Sequence, residues 1–334
     1  MDAKKPDMIL KTLNAAGFEA YYVGGCVRDR LLGRRVHDWD ITTSALPQQI
    51  MALFSHCIPT GIRHGTVTVL LDGAQAEVTT FRAEGAYLDG RHPSEVRFVP
   101  RLEEDLSRRD FTVNAMAMDL SGRVTDLFGG QQDLRAGILR CVGDAEARFR
   151  EDALRMLRAY RFCAQLGFTP AAETSAAISA CAALTAALSV ERIRDELEKT
   201  LLSPRPQLLQ AMASDGLLCP VGLDQLPPLD WLAPVRWAGL KLLCPALDPV
   251  RLRLPGKLCA LIDAAAGAYA PDMSRLALKR CIAAHGWDAA AAAAALSGTV
   301  PILEDIRAGG ECVTLRQLAV GGRDFPALHG PQIG

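Results

Sequence analysis

The 334-residue chain has no apolar run long enough to cross a membrane, and its N-terminus MDAKKPDMIL carries charges without the apolar core of a signal peptide. These absences predict a soluble protein of the cytoplasm. An excess of one charge is missing too: the formal net charge is −1, so an anionic partner such as a nucleic acid must meet locally gathered cations. The ten cysteines include no CxxC pair, which argues against a zinc module and against a compact disulfide framework. They read as small apolar core residues in a reducing compartment. Neither GxxxxGK[ST] nor GxGxxG occurs, which excludes the Walker A loop and the dinucleotide fingerprint. No internal repeat of fixed period is present, and none of the six histidines sits in an obvious triad.

What is present is a globular composition, 49% hydrophobic, at a length that suggests two or more domains. The first third mixes strand and helix signals: AYYVGG reads as a strand ending in a glycine turn, CVRDRLLG as a short helix stopped by Gly33, and WDITT as a second strand. Ser44 could cap a helix through PQQIMALF. GTVTVLLDGAQAEVTTF holds two β-rich runs around Asp72-Gly73, a strong hairpin signal. RAEGAYLDGRHPSEVRFV then reads as a long, mobile loop ending in a strand candidate, EVRFV. Beyond residue 137 strand signals fade, and FREDALRMLRAYRFCAQLGF, AAETSAAISACAALTAAL and ERIRDELEKTLL have helical spacing. Residues 219–256, rich in Pro and Leu, suggest short helices broken by turns, and the alanine run Ala289 to Ala295 suggests close helix packing.

Asp38 and Asp40 flank Trp39, so on a strand both carboxylates share one face. In a partly buried site they repel by a few kcal/mol unless a cation lies between them, and Mg²⁺ accepts a small number of carboxylates plus phosphate oxygens. The pair by itself also fits the wet face of an edge strand. Gly24 and Gly25 lie between a strand and a helix, where bare N–H groups can approach an anion, and Arg28 lies one helical turn on. Glu77 can bring a third carboxylate from the hairpin, or be a surface residue of an alternating strand. In FREDALRMLRAYRF, Asp152, Arg155, Arg158 and Arg161 recur every three residues as a slowly drifting polar stripe opposite Ala153, Leu154, Leu157 and Tyr160. A solvated face held by ion pairs shows the same pattern.

YYVGGCVRDRLLGRRVHDWDITTSA resembles the signature of the polymerase-β-type nucleotidyltransferases, in the class that contains bacterial CCA-adding enzymes and bacterial poly(A) polymerases; the match continues collinearly through most of the first two hundred residues. The resemblance implies an α+β head with a small mixed β-sheet over residues 1–137, a helical neck over 138–200, and a helical, RNA-binding body with part of a tail over 201–334. It assigns Gly24, Gly25 and Arg28 to a nucleoside triphosphate and Asp38 and Asp40 to catalytic Mg²⁺, with Glu77 a third catalytic candidate beside the pair. SRRDFTVNAMAMD resembles the element that contacts the ribose, which implicates Arg109 and Asp110 with Asn114 in support; without the resemblance, Asp110 is a plain N-cap candidate. Glu151, Asp152 and Arg155 match EDxxR, whose acid and arginine read the Watson–Crick edge of the incoming base in place of a template. A carboxylate accepts from the exocyclic amino group of C and A while a guanidinium donates to a ring acceptor. Arg158 and Arg161 would face phosphates, and Glu191, Arg194 and Glu198 of VERIRDELEKTLLSP would be structural.

The implied reaction joins C, C and A from CTP and ATP to the 3′ end of tRNA by Mg²⁺-dependent phosphoryl transfer. GIRHGTVTVLL, with His64 ordering the hairpin, and the long AYLDGRHPSEVRF loop resemble CCA-adding enzymes more than poly(A) polymerases. An enzyme adding only A keeps a similar layout. A catalytically silent RNA-binding relative would have no need of Asp38, Asp40, Arg28 and EDxxR together, and EDxxR disfavours a signalling-nucleotide synthetase. LAVGGRDFPALHGPQIG resembles the start of a tail that in bacterial relatives continues further, so a short or truncated tail is expected.

Overall fold

A computed structural model of the chain describes residues 4–71, 73–84, 96–226, 236–313 and 317. The chain divides into two compact units, Met1–Pro220 and Val221–Gly334. The first opens with helix α1 (Lys4–Ala15), whose Ile9, Leu10 and Leu13 are fully buried. Strand β1 (Ala20–Val23) leads through a glycine turn into α2 (Gly25–Leu31), then β2 (Asp40–Thr43), α3 (Pro47–Leu53) and β3 (Cys57–Gly61). Strands β4 (Thr66–Leu71) and β5 (Ala74–Thr80) form the expected hairpin: Leu71 faces Ala74 and Gly73 takes φ +75°. Alternation decides their faces, with Val67 and Val69 of β4 and Ala76 and Val78 of β5 turned into the core.

Strands β6 (Arg82–Glu84) and β7 (Val96–Phe98) pair antiparallel as a separate ribbon. Residues 85–95, most of the loop expected to be mobile, lie outside the described residues, as does the tail segment 318–334. After α4 (Leu102–Ser107) come β8 (Met116–Met118) and β9 (Val124–Asp126). The main sheet runs β3-β4-β5-β2-β1-β8-β9; β2 and β5 are parallel and the other neighbours antiparallel, so the sheet is mixed as expected.

The helices α5 (Gly130–Ala136), α6 (Ala145–Glu151), α7 (Leu154–Leu166), α8 (Ala172–Cys181), α9 (Val190–Leu201) and α10 (Leu208–Ser214) complete this unit. The second unit holds α11 (Arg236–Leu243), α12 (Gly256–Ala268), α13 (Arg275–Ser297) and α14 (Val300–Ala308). Its α13 bends at Gly286, where φ is +84°, and beyond the bend Ala289, Ala290, Ala292, Ala293 and Ala294 are buried. Their small side chains pack closely against neighbouring helices, as the alanine run suggested. No helix among the described residues is long and apolar enough to cross a membrane.

Three local expectations change. Strand β2 begins at Asp40, not Trp39, so Asp38 and Trp39 precede the ladder. Ser44 does not cap α3; its hydroxyl accepts the Glu19 N–H, and the Gln49 side chain accepts the Leu46 N–H at the helix start. FREDALRMLRAYRF is not one helix. Asp152 takes φ −145° and ψ 105° between α6 and α7, and its carboxylate accepts the Leu154 N–H at 3.0 Å. A short acidic side chain bonding its own backbone two residues on competes with the helical ladder, and here it wins.

Candidate active site

Asp40 opens β2 directly beside Glu77 of β5 in the parallel register, and the Glu77 N–H donates to the Trp39 carbonyl at 3.0 Å. Residues paired in this way share a sheet face. Asp38, one step before the strand, joins them: the three carboxylates line one pocket of about 220 Å³ with His37, Trp39, Gln75 and Ala76. Asp38 is exposed and Asp40 half-buried, while Trp39 is buried and tilted against Tyr22 at 4.9 Å between ring centroids. Burial above all, with Glu77 and Asp38 adding like charge, pushes the Asp40 carboxyl up to about 6 against the pull of Arg109.

Hard carboxylate oxygens crowded until one resists ionisation suit a hard divalent cation. Among the described residues no group of three or more His, Cys, Asp or Glu forms a ready metal cage. An open site completed by substrate phosphates needs only one or two carboxylates, and the donor set here fits that kind of centre.

The glycine turn abuts this pocket. Gly24 holds φ +74° and ψ −132°, and a Cβ there would lie 3.1 Å from Arg109 Nη1 and 3.9 Å from Asp40 Oδ2. A side chain there would press on the Arg109 guanidinium and hold a positive φ that favours glycine. Gly24→Ala is therefore expected to destabilise the fold by about 1–3 kcal/mol through backbone strain and to weaken triphosphate binding; urea unfolding and a nucleotide titration check both, and unchanged affinity would count against the turn as an anion cradle.

Arg28, expected beside the same anion, curls back so that Nη2 lies 3.6 Å from where a Gly25 Cβ would stand. It is 8% exposed and is held by Asp29 through two bonds of 3.0 Å and by Asn114 Oδ1 at 2.7 Å. Arg109 lies over the turn, bonded to Asp105 Oδ2 at 3.1 Å, and its Nε is buried without a hydrogen-bond partner.

Asp110 does not cap a helix. It is a buried carboxylate that takes Nε and Nη2 of Arg158 at 2.9 and 2.6 Å and Asn114 Nδ2 at 3.1 Å. Burial would raise its pKa, but Arg158, Asn114 and Arg155 together outweigh burial and hold it at about 2. A continuous chain of bonds, Asp29–Arg28–Asn114–Asp110–Arg158, thus runs from the glycine turn to α7.

At the α6–α7 break, Arg155 pairs with Glu151 and donates to the carbonyls of Arg148 and Arg108 at 3.1 and 3.2 Å. Glu151 also takes Arg148 Nη2 at 2.8 Å, and Asp152 Oδ2 takes Arg192 Nη2 at 2.8 Å. The polar stripe read from the sequence is therefore divided. Arg158 turns to Asp110 with its side chain 34% exposed, whereas Arg161, expected at the phosphates, is buried against Glu196 with Gln165 at 2.9 Å. A buried guanidinium needs a carboxylate partner, and α9 supplies it.

Several participants escaped the sequence reading. Phe162 carries three guanidinium groups around one ring, Arg28 at 5.2, Arg158 at 5.3 and Arg161 at 3.9 Å from the centroid. Glu196 and Arg192 come from α9, where Glu191, Arg194 and Glu198 were named instead; the buried stripe Ile193–Leu197–Thr200–Leu201 would have pointed to Glu196. Asp105 is fully buried, and its spacing of three and four from Arg108 and Arg109 was legible as a pair signal. The His64 carbonyl, not its imidazole, accepts Arg82 beside the hairpin.

A mixed sheet that sets a carboxylate cluster against a glycine turn, backed by an arginine-lined helix pair, is the layout of the nucleotidyltransferase head fold. The family model "Poly A polymerase head domain" matches residues 20–140, and "Probable RNA and SrmB- binding site of polymerase A" matches residues 167–223. The chain is 55% identical over 204 residues to the CCA-adding enzyme of Lactiplantibacillus plantarum, covering 61% of itself and 50% of that relative. It is 50% identical over 254 residues to that of Geobacillus thermodenitrificans, covering 72% and 62%. The solved Bacillus stearothermophilus CCA-adding enzyme in complex with CTP superposes with a TM-score of 0.79 at 37% identity, over 100% of this chain and 90% of that one. The chain belongs to the CCA-adding enzyme family, whose chemistry is generally metal-dependent. It spans about half the length of the first of these relatives.

Proposed function

We propose that the protein adds C, C and A to the 3′ end of tRNA from CTP and ATP, with pyrophosphate released at each step. The observation that carries this reading is the pocket shared by Asp38, Asp40 and Glu77 against the Gly24 turn, with the Glu151–Arg155 pair on the neck. In this reading residues 1–137 are the catalytic head, 138–200 the base-reading neck and 201–334 the RNA-binding body. Asp38 and Asp40 hold Mg²⁺, with Glu77 beside them. When bound, the ion polarises the α-phosphate and neutralises charge that develops in transfer.

The chain's own residues do the rest. Gly24, Gly25 and Arg28 receive the triphosphate; Arg109, with Asp110 and Asn114 behind it, meets the ribose; Arg158 extends the cationic lining. The Asp152 carboxylate accepts the exocyclic amino group of C or A, and Arg155, steadied by Glu151, donates to the ring. A base without that amino group leaves buried polar atoms unpaired, which is the source of selectivity. The length of the AYLDGRHPSEVRF segment, which resembles the loop by which full CCA-adding enzymes admit ATP after two cytidines, supports full CCA addition over CC addition. In this reading the protein works in the cytoplasm, where tRNA, CTP and ATP meet.

The test supplies Mg²⁺ and tRNA transcripts ending before the CCA, after its second C, and complete, with CTP and ATP separately and together. Use of both nucleotides that stops at a complete end is expected; long A-tails on unstructured RNA would sink the reading. Arg155→Ala is expected to reduce discrimination of C over U by about 10- to 100-fold while some turnover remains. Unchanged C and A preference would count against its base-reading role.

A further inference from the structure

Asp105 is 0% exposed and lies outside every role assigned above. Its two carboxylate oxygens gather donors from four places. Oδ1 takes Nε and Nη2 of Arg108 at 3.0 and 2.7 Å and the backbone N–H of Arg82 at 3.3 Å. Oδ2 takes Nη2 of Arg109 at 3.1 Å and the Thr42 hydroxyl at 3.2 Å.

The donors come from separate segments of the chain. Thr42 is on β2, two residues after Asp40. Arg82 opens the ribbon β6–β7. Arg109 overlies the Gly24 turn, with Nη1 3.1 Å from where a Gly24 Cβ would stand. Arg108 presents its carbonyl to Nη2 of Arg155 at 3.2 Å. Burial alone would raise the pKa of this carboxyl, but Arg109 and Arg108 hold it below the ordinary carboxylate range, so it stays an anion beneath them.

We propose that Asp105 is a positioning residue for nucleotide selection, a buried anion that fixes Arg109 over the sugar and triphosphate site and braces, through Arg108, the base-reading Arg155. The inference rests on the nucleotidyltransferase reading and deepens it. A single buried anchor thus holds the Arg109 guanidinium over the glycine turn and, by pinning Arg108, fixes the carbonyl that meets Arg155. Held by a carboxylate, a guanidinium keeps its planar fork oriented; without it the long side chain samples many rotamers.

The experiment measures incorporation of CTP against dCTP, and of CTP against UTP, on a tRNA transcript lacking CCA. Asp105→Asn removes the charge while keeping the shape, and its amide hydrogens oppose the arginine donors. Its CTP-over-dCTP preference is expected to fall by about tenfold or more, with KM for CTP rising more than kcat falls. Asp105→Glu keeps the charge but shifts both arginines by a methylene, and is expected to lose preference while remaining folded. Thr42→Val deletes another bond to the same carboxylate without touching either arginine; it is expected to lower the melting temperature and leave both preferences at the wild-type ratio. Asp105 variants that lose stability yet keep the wild-type ratios would overturn the proposal, as would a wild-type enzyme that uses CTP and dCTP equally. A wild-type protein that incorporates neither C nor A would instead overturn the proposed function, so the two failures are distinguishable.

Discussion

Asp40→Asn is expected to lower nucleotide incorporation by at least about 10³-fold, since in the proposed reading it removes a metal ligand and with it several kcal/mol of transition-state stabilisation. The same change should raise the melting temperature of the metal-free protein at pH 8. Asp40 has its carboxyl raised from 3.8 to about 6 by burial, with Glu77 and Asp38 adding to it. An acid raised on folding binds its proton more tightly in the native state. Its favourable contribution is therefore present at low pH and is lost as pH climbs from about 4 through 6. At pH 8 the native protein carries a carboxylate its surroundings disfavour, and asparagine relieves that. Asp38 is exposed, so Asp38→Asn should silence turnover while barely moving the melting temperature. Thermal melts with and without Mg²⁺ complete the test: the ion should stabilise wild type at pH 8 more than the Asp40 variant. Turnover within about tenfold of wild type in both variants would remove the metal assignment.

Glu196→Ala should destabilise the protein by about 3–5 kcal/mol, because it strips the counter-charge from a buried guanidinium. Arg161 is paired with Glu196, whose side chain is 4% exposed, and Arg161 itself stacks 3.9 Å from the Phe162 centroid. Burial already lowers the Arg161 pKa despite that partner. In a unit of this size the loss corresponds to a fall in melting temperature of about 10 °C. Replacing both partners, Arg161→Met with Glu196→Leu, removes the two desolvation penalties together and should restore most of the stability. That double variant also decides what Arg161 does. Retained turnover, within about tenfold, is the outcome its burial implies. Restored stability with no turnover would return Arg161 to the phosphates.

The legible parts were those written in local spacing. The strand–glycine–helix run, the β4–β5 hairpin and the helical character beyond residue 137 all follow from periodicity and turn chemistry within short windows. The α6–α7 break was missed because the Asp152 carboxylate bonds its own backbone, a choice that three-residue periodicity does not register. The Arg161–Glu196 pair was illegible for a related reason: spacing puts Arg161 near the line of Arg155 and Arg158, but its partner lies 35 residues away on α9. Phe162 looked like any apolar helix residue until three arginines from two helices closed around it.

By itself the sequence determined the identity of the chemical groups: the acids Asp38, Asp40 and Glu77, the glycines before Arg28, the acid–arginine set of the neck. Those are covalent facts, and spacing along a strand or turn limits what each group can reach. Only the tertiary structure decided which of them act together. The parallel β2–β5 ladder puts Glu77 beside Asp40 although 37 residues separate them, and Asp105 gathers donors from β2, the β6–β7 ribbon and the turn after α4. Long-range pairing of that kind depends on sheet register and on where a buried charge finds its partner, and both are settled by packing between distant segments.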